Sequence, residues 1–217
     1  MDDRIDDTRG RVVSRIFTSL SNPEVVSLLN QGAVGVIPTD TVYGLVAKAE
    51  LRPAIERLYS LKRRELAPGT MIRASLEQFS SIGLDVSKVG EINEIRSGSL
   101  SVVVDATAVD PYLKQNRVTL PIRIPNVGSL IQLLSQTGAL MTTSANAPHE
   151  PTSTSIQMAI DYFGDAVDFY VDGGDLSGRS PSTIVGFDEK GELIVYRQGA
   201  AEITADMLSN LQQKTKV

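Results

Sequence analysis

Residues 35–45 read Gly35-Val36-Ile37-Pro38-Thr39-Asp40-Thr41-Val42-Tyr43-Gly44-Leu45, an apolar run that ends abruptly in hydroxyls, one carboxylate and a glycine. The β-branched stretch from Val34 to Ile37 suits a covered, pleated strand, and Pro38, which has no N–H, ends its ladder. Thr39, Asp40, Thr41 and Tyr43 then offer donors and acceptors with little bulk. Open α/β sheets hold their ligands at strand ends of this kind. The plainer alternative is a turn whose hydroxyls bond their own backbone.

Working outward, Val12, Val13, Ile16, Phe17 and Leu20 are spaced as in a short amphipathic helix, after a polar, mobile lead over residues 1–10. A clearer helix follows, with Asn22 as cap, Pro23 at its first position, Glu24 in its first turn and Val25, Val26, Leu28 and Leu29 as its buried side. A second helix begins at Arg52, gathers Ile55, Leu58, Tyr59 and Leu61 on one face, and delivers Lys62, Arg63 and Arg64 at its end. Strands are expected at 70–73, 100–105, 120–124, 139–142, 167–171, 182–187 and 192–196. Helices are expected near 75–82, 87–95, 127–136 and 154–163, with a capped final helix from Thr204 to Val217. Strands close enough for hairpins alternate with strands separated by helices, so the fold class is α/β, a twisted mixed sheet flanked by helices. No repeat or linker divides the chain, and the expectation is a single domain over 1–217 with its core at about 12–200.

The 217 residues, 41 % hydrophobic and 22 % charged, suffice for one sizeable core. The net charge is −5 and the isoelectric point near 5.0, which disfavours a broad nucleic-acid footprint, so any RNA contact is local or indirect. With no cysteine, thiolate nucleophiles, disulfides and zinc-thiolate centres are excluded, and the single His149 cannot build a histidine metal cluster. Neither a signal peptide nor a run approaching a membrane span is recognisable, and the expected setting is cytoplasmic.

Four further groups carry chemistry. Lys62, Arg63 and Arg64 at a helix end read either as solvated charges complementing the helix dipole or as an anion trap, in which Lys supplies a movable charge and Arg a planar fork. Arg123 alternates with Leu120, Ile122 and Ile124 and so points away from the isoleucine face, as a structural ion pair or a ligand contact. Thr142-Thr143-Ser144-Ala145-Asn146 puts small hydroxyl and amide groups at another strand end. Asp172-Gly173-Gly174, Ser180-Pro181-Ser182-Thr183-Ile184-Val185 and Arg197-Gln198-Gly199 read as tight-turn loop chemistry, with Ser182 and Thr183 able to bond a base or phosphate edge.

The word PTDTVYGL at 38–45 resembles the opening motif of the Sua5/YrdC/YciO family, whose best-known members make threonylcarbamoyl-adenylate for tRNA modification. The resemblance continues in order through Lys62-x-Arg64, Arg123-x-Pro125, Thr143-Ser144-Ala145-Asn146, Asp172-Gly173-Gly174, Pro181-Ser182-Thr183-Ile184-Val185 and Arg197-x-Gly199, over about residues 23–200. It departs at four places. Pro68 stands where the family has a second Lys, Ser97-Gly98-Ser99-Leu100-Ser101 replaces a Pro-Gly-Pro-x-Thr strand entry, and Val127 replaces a His. After Asn146 the family's Ser-Gly is replaced by Pro148-His149, so His149 is read as an exposed loop residue.

The resemblance implies a YrdC-like fold with its ligand site in a concave cleft at strand ends. It implies L-threonine, bicarbonate or CO₂, and ATP with Mg²⁺ as reactants, and threonylcarbamoyl-AMP with pyrophosphate as products. Lys62, Arg64 and Arg197 would then serve the phosphates, Ser144 and Asn146 the nucleotide end, and Ser182 a further nucleotide contact. Thr39, Thr41, Tyr43 and Arg123 would hold threonine or its carbamate, and no protein metal site is required because Mg²⁺ travels on ATP. A downstream tRNA threonylcarbamoyl transferase would receive the product. The alternative implied is a YciO-like member that binds nucleotide or RNA without efficient adenylate synthesis.

Overall fold

The computed structural model describes residues 14–63, 68–86, 89 and 99–204. Ten strands form one sheet: β1 Arg15–Phe17, β2 Gly35–Pro38, β3 Tyr43–Lys48, β4 Thr70–Ile72, β5 Leu100–Asp105, β6 Thr119–Arg123, β7 Leu140–Ser144, β8 Phe169–Val171, β9 Thr183–Phe187 and β10 Leu193–Arg197. Their order is β1-β8-β2-β3-β7-β4-β6-β5-β9-β10. Four of the pairings are parallel (β1/β8, β2/β8, β4/β6, β5/β9) and five are antiparallel, which makes the sheet mixed as expected.

Helices α1 Pro23–Asn30, α2 Arg52–Lys62, α3 Leu76–Ser80, α4 Pro111–Lys114, α5 Gly128–Thr137 and α6 Ile156–Phe163 flank it. Asn22 caps α1 as its position suggests, its side-chain oxygen accepting the Glu24 N–H at 2.9 Å, an interaction worth about 1 kcal/mol. Helix α2 stops because Arg63 turns into the left-handed region at φ 44, so Lys62 is its last helical residue.

Strand alternation sorts the core into two clusters. Tyr43, Leu45, Ala47, Met71, Met141 and Ile122 share one cluster with the buried side of α2. On the other face Val46, Ile72, Leu140 and Phe169 pack against Val25 and Leu29 of α1 and Leu130, Leu133 and Leu134 of α5. Each wholly buried Leu or Val contributes roughly 1.5–3 kcal/mol. That second face holds the site, because its apolar residues give way to hydroxyls a short distance along the same strands.

Two local expectations are corrected. The segment read as an amphipathic helix forms β1 at Arg15–Phe17, because its residues exchange main-chain bonds in parallel register with Phe169–Val171 while Phe17 and Leu20 still bury their side chains. The polar stretch after Pro38 is the turn of the plainer reading: the chain reverses across Thr39–Val42 and returns as β3, with Gly35 opposite Val46 and Pro38 opposite Tyr43. The Thr142–Thr143 pair lies within β7, which runs on to Ser144. The polar lead, the helix near 87–95 apart from Val89, the final helix after Thr204, and Arg64 lie outside the described residues.

Candidate active site

The β2–β3 turn forms one wall of the site. Thr39 Oγ1 donates to the Val42 carbonyl at 2.7 Å, accepts the Thr41 N–H at 3.2 Å, and lies 2.9 Å from Thr41 Oγ1. The turn therefore bonds its own backbone, as the plainer reading has it, while Thr39 and Thr41 also border the cleft described below. Gly44 is required beside it, since a Cβ there would lie 2.6 Å from Thr142 Oγ1.

Arg123 reaches this turn from β6. Its Nη1 donates to Thr41 Oγ1 at 3.1 Å and its Nη2 faces Asp40 Oδ1 at 3.3 Å, both side chains being nearly inaccessible to solvent. Burial pulls the Arg123 guanidinium below the ordinary arginine value, and Asp40 offsets this in part. The Nε of Arg123 and the Oδ1 of Asp40 make no hydrogen bond, so the pair holds unused donor and acceptor capacity.

The end of α2 meets the end of β7 across a third wall. Lys62 Nζ donates to the main-chain oxygens of Ser144 at 2.9 Å and Asn146 at 2.7 Å and to Asn146 Oδ1 at 2.7 Å. Ser144 Oγ donates to the same Oδ1 at 2.7 Å. Two words more than eighty residues apart in sequence are thus one cluster. Opposite them, Arg197 donates from Nε at 3.2 Å and from Nη2 at 2.7 Å to the Ser182 carbonyl, and Nη2 lies 3.4 Å from Ser182 Oγ.

Between these walls is a cleft of about 190 Å³ on the face of the sheet. Thr39, Thr41, Tyr43, Arg123, Ser144, Ser182 and Arg197 all border it, and so does Pro68. Lys62 and Asn146 stand behind Ser144. Tyr43 differs from its expected orientation: its hydroxyl turns away to donate to the Gly174 carbonyl at 2.8 Å and accept the Gly173 N–H at 2.9 Å. Gly173 packs so closely on Pro38 that a Cβ would come within 2.4 Å of the ring. Asp40, paired with Arg123, and Ser101, bonded to Ser182, join the expected site residues, and an acid inside a Thr-x-Thr turn is a readable signal for a basic partner. His149 is exposed at φ 67.

A mixed sheet flanked by helices, with hydroxyls and two arginines gathered in one cleft at its strand ends, places the chain in the α/β class. A family model described as Sua5_yciO_yrdC, telomere recombination, matches residues 27–199, and the chain belongs to that family. A relative from Hahella chejuensis named threonylcarbamoyl-AMP synthase is 31 % identical over 168 residues, covering 74 % of this chain and 90 % of the relative. The fold superposes on E. coli YciO with a TM-score of 0.76 at 23 % identity, covering 88 % of this chain and 98 % of that one. It also superposes on P. abyssi Sua5 complexed with L-threonine, with a TM-score of 0.80 at 21 % identity over 91 % of this chain. This chain spans only 61 % of that protein's length.

Proposed function

We propose that this chain is an L-threonylcarbamoyladenylate synthase, a nucleotidyltransferase acting in t6A modification of tRNA. The observation that carries the reading is the meeting, in one cleft, of the Thr39–Thr41 turn, Arg123, Ser144, Ser182 and Arg197, drawn from five separate words of the sequence. In this reading the amine of L-threonine and bicarbonate condense to a carbamate and water. A carbamate oxygen then attacks the α-phosphorus of ATP, the bond to the β-phosphate breaks, and pyrophosphate leaves with its electron pair. No protein nucleophile is needed, so catalysis rests on positioning and charge neutralisation.

Arg123 with Thr39 and Thr41 holds threonine or its carbamate, and Tyr43 supports that wall through the Asp172–Gly174 turn rather than by its own hydroxyl. Ser144 and Ser182 face the nucleotide, Arg197 the phosphates, and Lys62 with Asn146 shapes the loop that carries Ser144. Arg64 completes the phosphate contacts in this reading. Among the described residues no three His, Cys, Asp or Glu side chains converge as a metal site, and Mg²⁺ is taken to arrive on the triphosphate. The product passes to a tRNA threonylcarbamoyl transferase, with RNA contact local at most, from a cytoplasmic protein of one domain over 1–217. No helix among the described residues is long and apolar enough to cross a membrane.

The test is pyrophosphate release by purified protein with Mg-ATP, which is expected to require both L-threonine and bicarbonate. Turnover indifferent to the amino acid, or no turnover at all, removes the assignment. Pro68 in the cleft wall favours one second reading, a YciO-like member that binds nucleotide or RNA without efficient synthesis. Salt-dependent RNA binding without threonine-dependent pyrophosphate release would select it.

A further inference from the structure

Ser101 lies on β5 opposite Ile184 of β9, on the same sheet face as the cleft, and is fully buried. Its Oγ is 2.9 Å from Ser182 Oγ. A serine hydroxyl carries one hydrogen and two acceptor lone pairs, whereas arginine can only donate. Arg197 Nη2 lies 3.4 Å from Ser182 Oγ and anchors the Ser182 carbonyl at 2.7 Å, so one lone pair of the hydroxyl is addressed from the β10 side. When Ser101 donates, the second lone pair is filled from β5, and the Ser182 O–H is left to point into the cleft that Ser182 borders. Phosphate and carboxylate oxygens are acceptors, so this is the productive polarity.

We infer that Ser101 is a positioning residue that sets Ser182 as a hydrogen-bond donor to the bound nucleotide, an inference that rests on the synthase reading for the nucleotide's place. Ser101 touches no ligand itself. Its effect passes through Ser182, and removing either hydroxyl removes the same contact.

The experiment is calorimetric ATP binding and threonine-dependent pyrophosphate release for the full-length wild type, Ser101→Ala, Ser182→Ala, the double variant and Ser101→Thr. Loss of one net hydrogen bond corresponds to a weakening of about five-fold. Ser101→Ala is expected to show it, with KM for ATP raised, KM for threonine unchanged, and thermal midpoint preserved. The double variant should bind no more weakly than Ser182→Ala alone, and Ser101→Thr should recover affinity to within about two-fold. Additive losses, an unchanged Ser101→Ala, or a Ser101→Thr as weak as Ser101→Ala overturns the inference. If the wild type binds ATP but releases no pyrophosphate, the synthase reading falls while the coupling between the two serines still decides this one. Wild-type protein that binds no ATP overturns both.

Discussion

The Lys62 ammonium sits 2.7 Å from both the main-chain and the side-chain oxygen of Asn146, closing the end of α2 onto the end of β7. An ammonium has three donors, and this one has found acceptors on a single loop. Lys62 is therefore part of the architecture that holds Ser144 at the cleft, as well as a positive charge behind it.

Replacing Lys62 by Met keeps the stem and deletes the donors, leaving inward-facing oxygens of Ser144 and Asn146 without their charged partner. The expected loss of stability is on the order of 1–3 kcal/mol, read as a shift in the urea midpoint, with ATP binding weakened in parallel. Lys62→Arg should not rescue, because a planar fork cannot serve acceptors grouped around one nitrogen. A Lys62→Met variant as stable as wild type that has lost only ATP affinity would assign the residue to the ligand alone.

Asp40 and Arg123 make the complementary case. Asp40→Asn leaves a buried guanidinium without its counter-charge, and such broken pairs typically cost about 3–5 kcal/mol. Adding Arg123→Met removes the stranded charge, so the double variant should regain much of the stability while binding L-threonine no better than background. Denaturation and calorimetry on the same two proteins check both halves. Threonine binding retained by the stable double variant would take Arg123 out of the substrate site.

The strands and helices that carry a clean period were readable. Asn22-Pro23-Glu24 announced α1, and Val102, Val104, Ile122 and Val185 announced strands buried on one face. What escaped were features decided by partners far along the chain. Ile16 and Phe17 are spaced as a helix would space them, but their main chain is claimed by Phe169–Val171. Tyr43 sits in a word full of ligand-facing groups, yet alternation turns its ring into the core, where only the distant Asp172–Gly174 turn can satisfy the hydroxyl. The Ser101–Ser182 contact likewise needs β5 and β9 to be neighbours, which no local pattern announces.

Tyr43 also predicts an alkaline limit. Burial raises its hydroxyl above the ordinary tyrosine value, with Asp172 acting in the same direction and the Gly173 N–H opposing. Burial likewise raises Tyr170 and Tyr112. A folded-state value above the unfolded one means that the native state binds more protons once the unfolded phenols begin to titrate, so stability is full below about pH 10 and is lost as pH rises through the folded values. The urea midpoint of wild type should therefore be flat from neutral pH towards 10 and fall beyond it, and Tyr43→Phe should fall less steeply from a lower plateau. Equal slopes for the two proteins would show that Tyr43 titrates alike in both states.

Pro68 borders the cleft at the position where the family resemblance expects a lysine. It is followed by Gly69, packed so tightly on β7 that a Cβ would lie 2.6 Å from the Thr142 carbonyl, which holds this stretch of backbone against β7. A lysine introduced here would place its ammonium near departing pyrophosphate, where charge grows during the reaction. Pro68→Lys is expected to tighten ATP binding or raise threonine-dependent turnover by roughly ten- to one-hundred-fold, the scale of one charge-assisted hydrogen bond. The opposing effect is entropic, since removing a proline whose φ suits the loop destabilises by less than about 1 kcal/mol. A folded Pro68→Lys protein with unchanged ATP affinity and unchanged turnover would mean that another cation already serves the triphosphate, and that the loss of lysine at this position did not weaken the site.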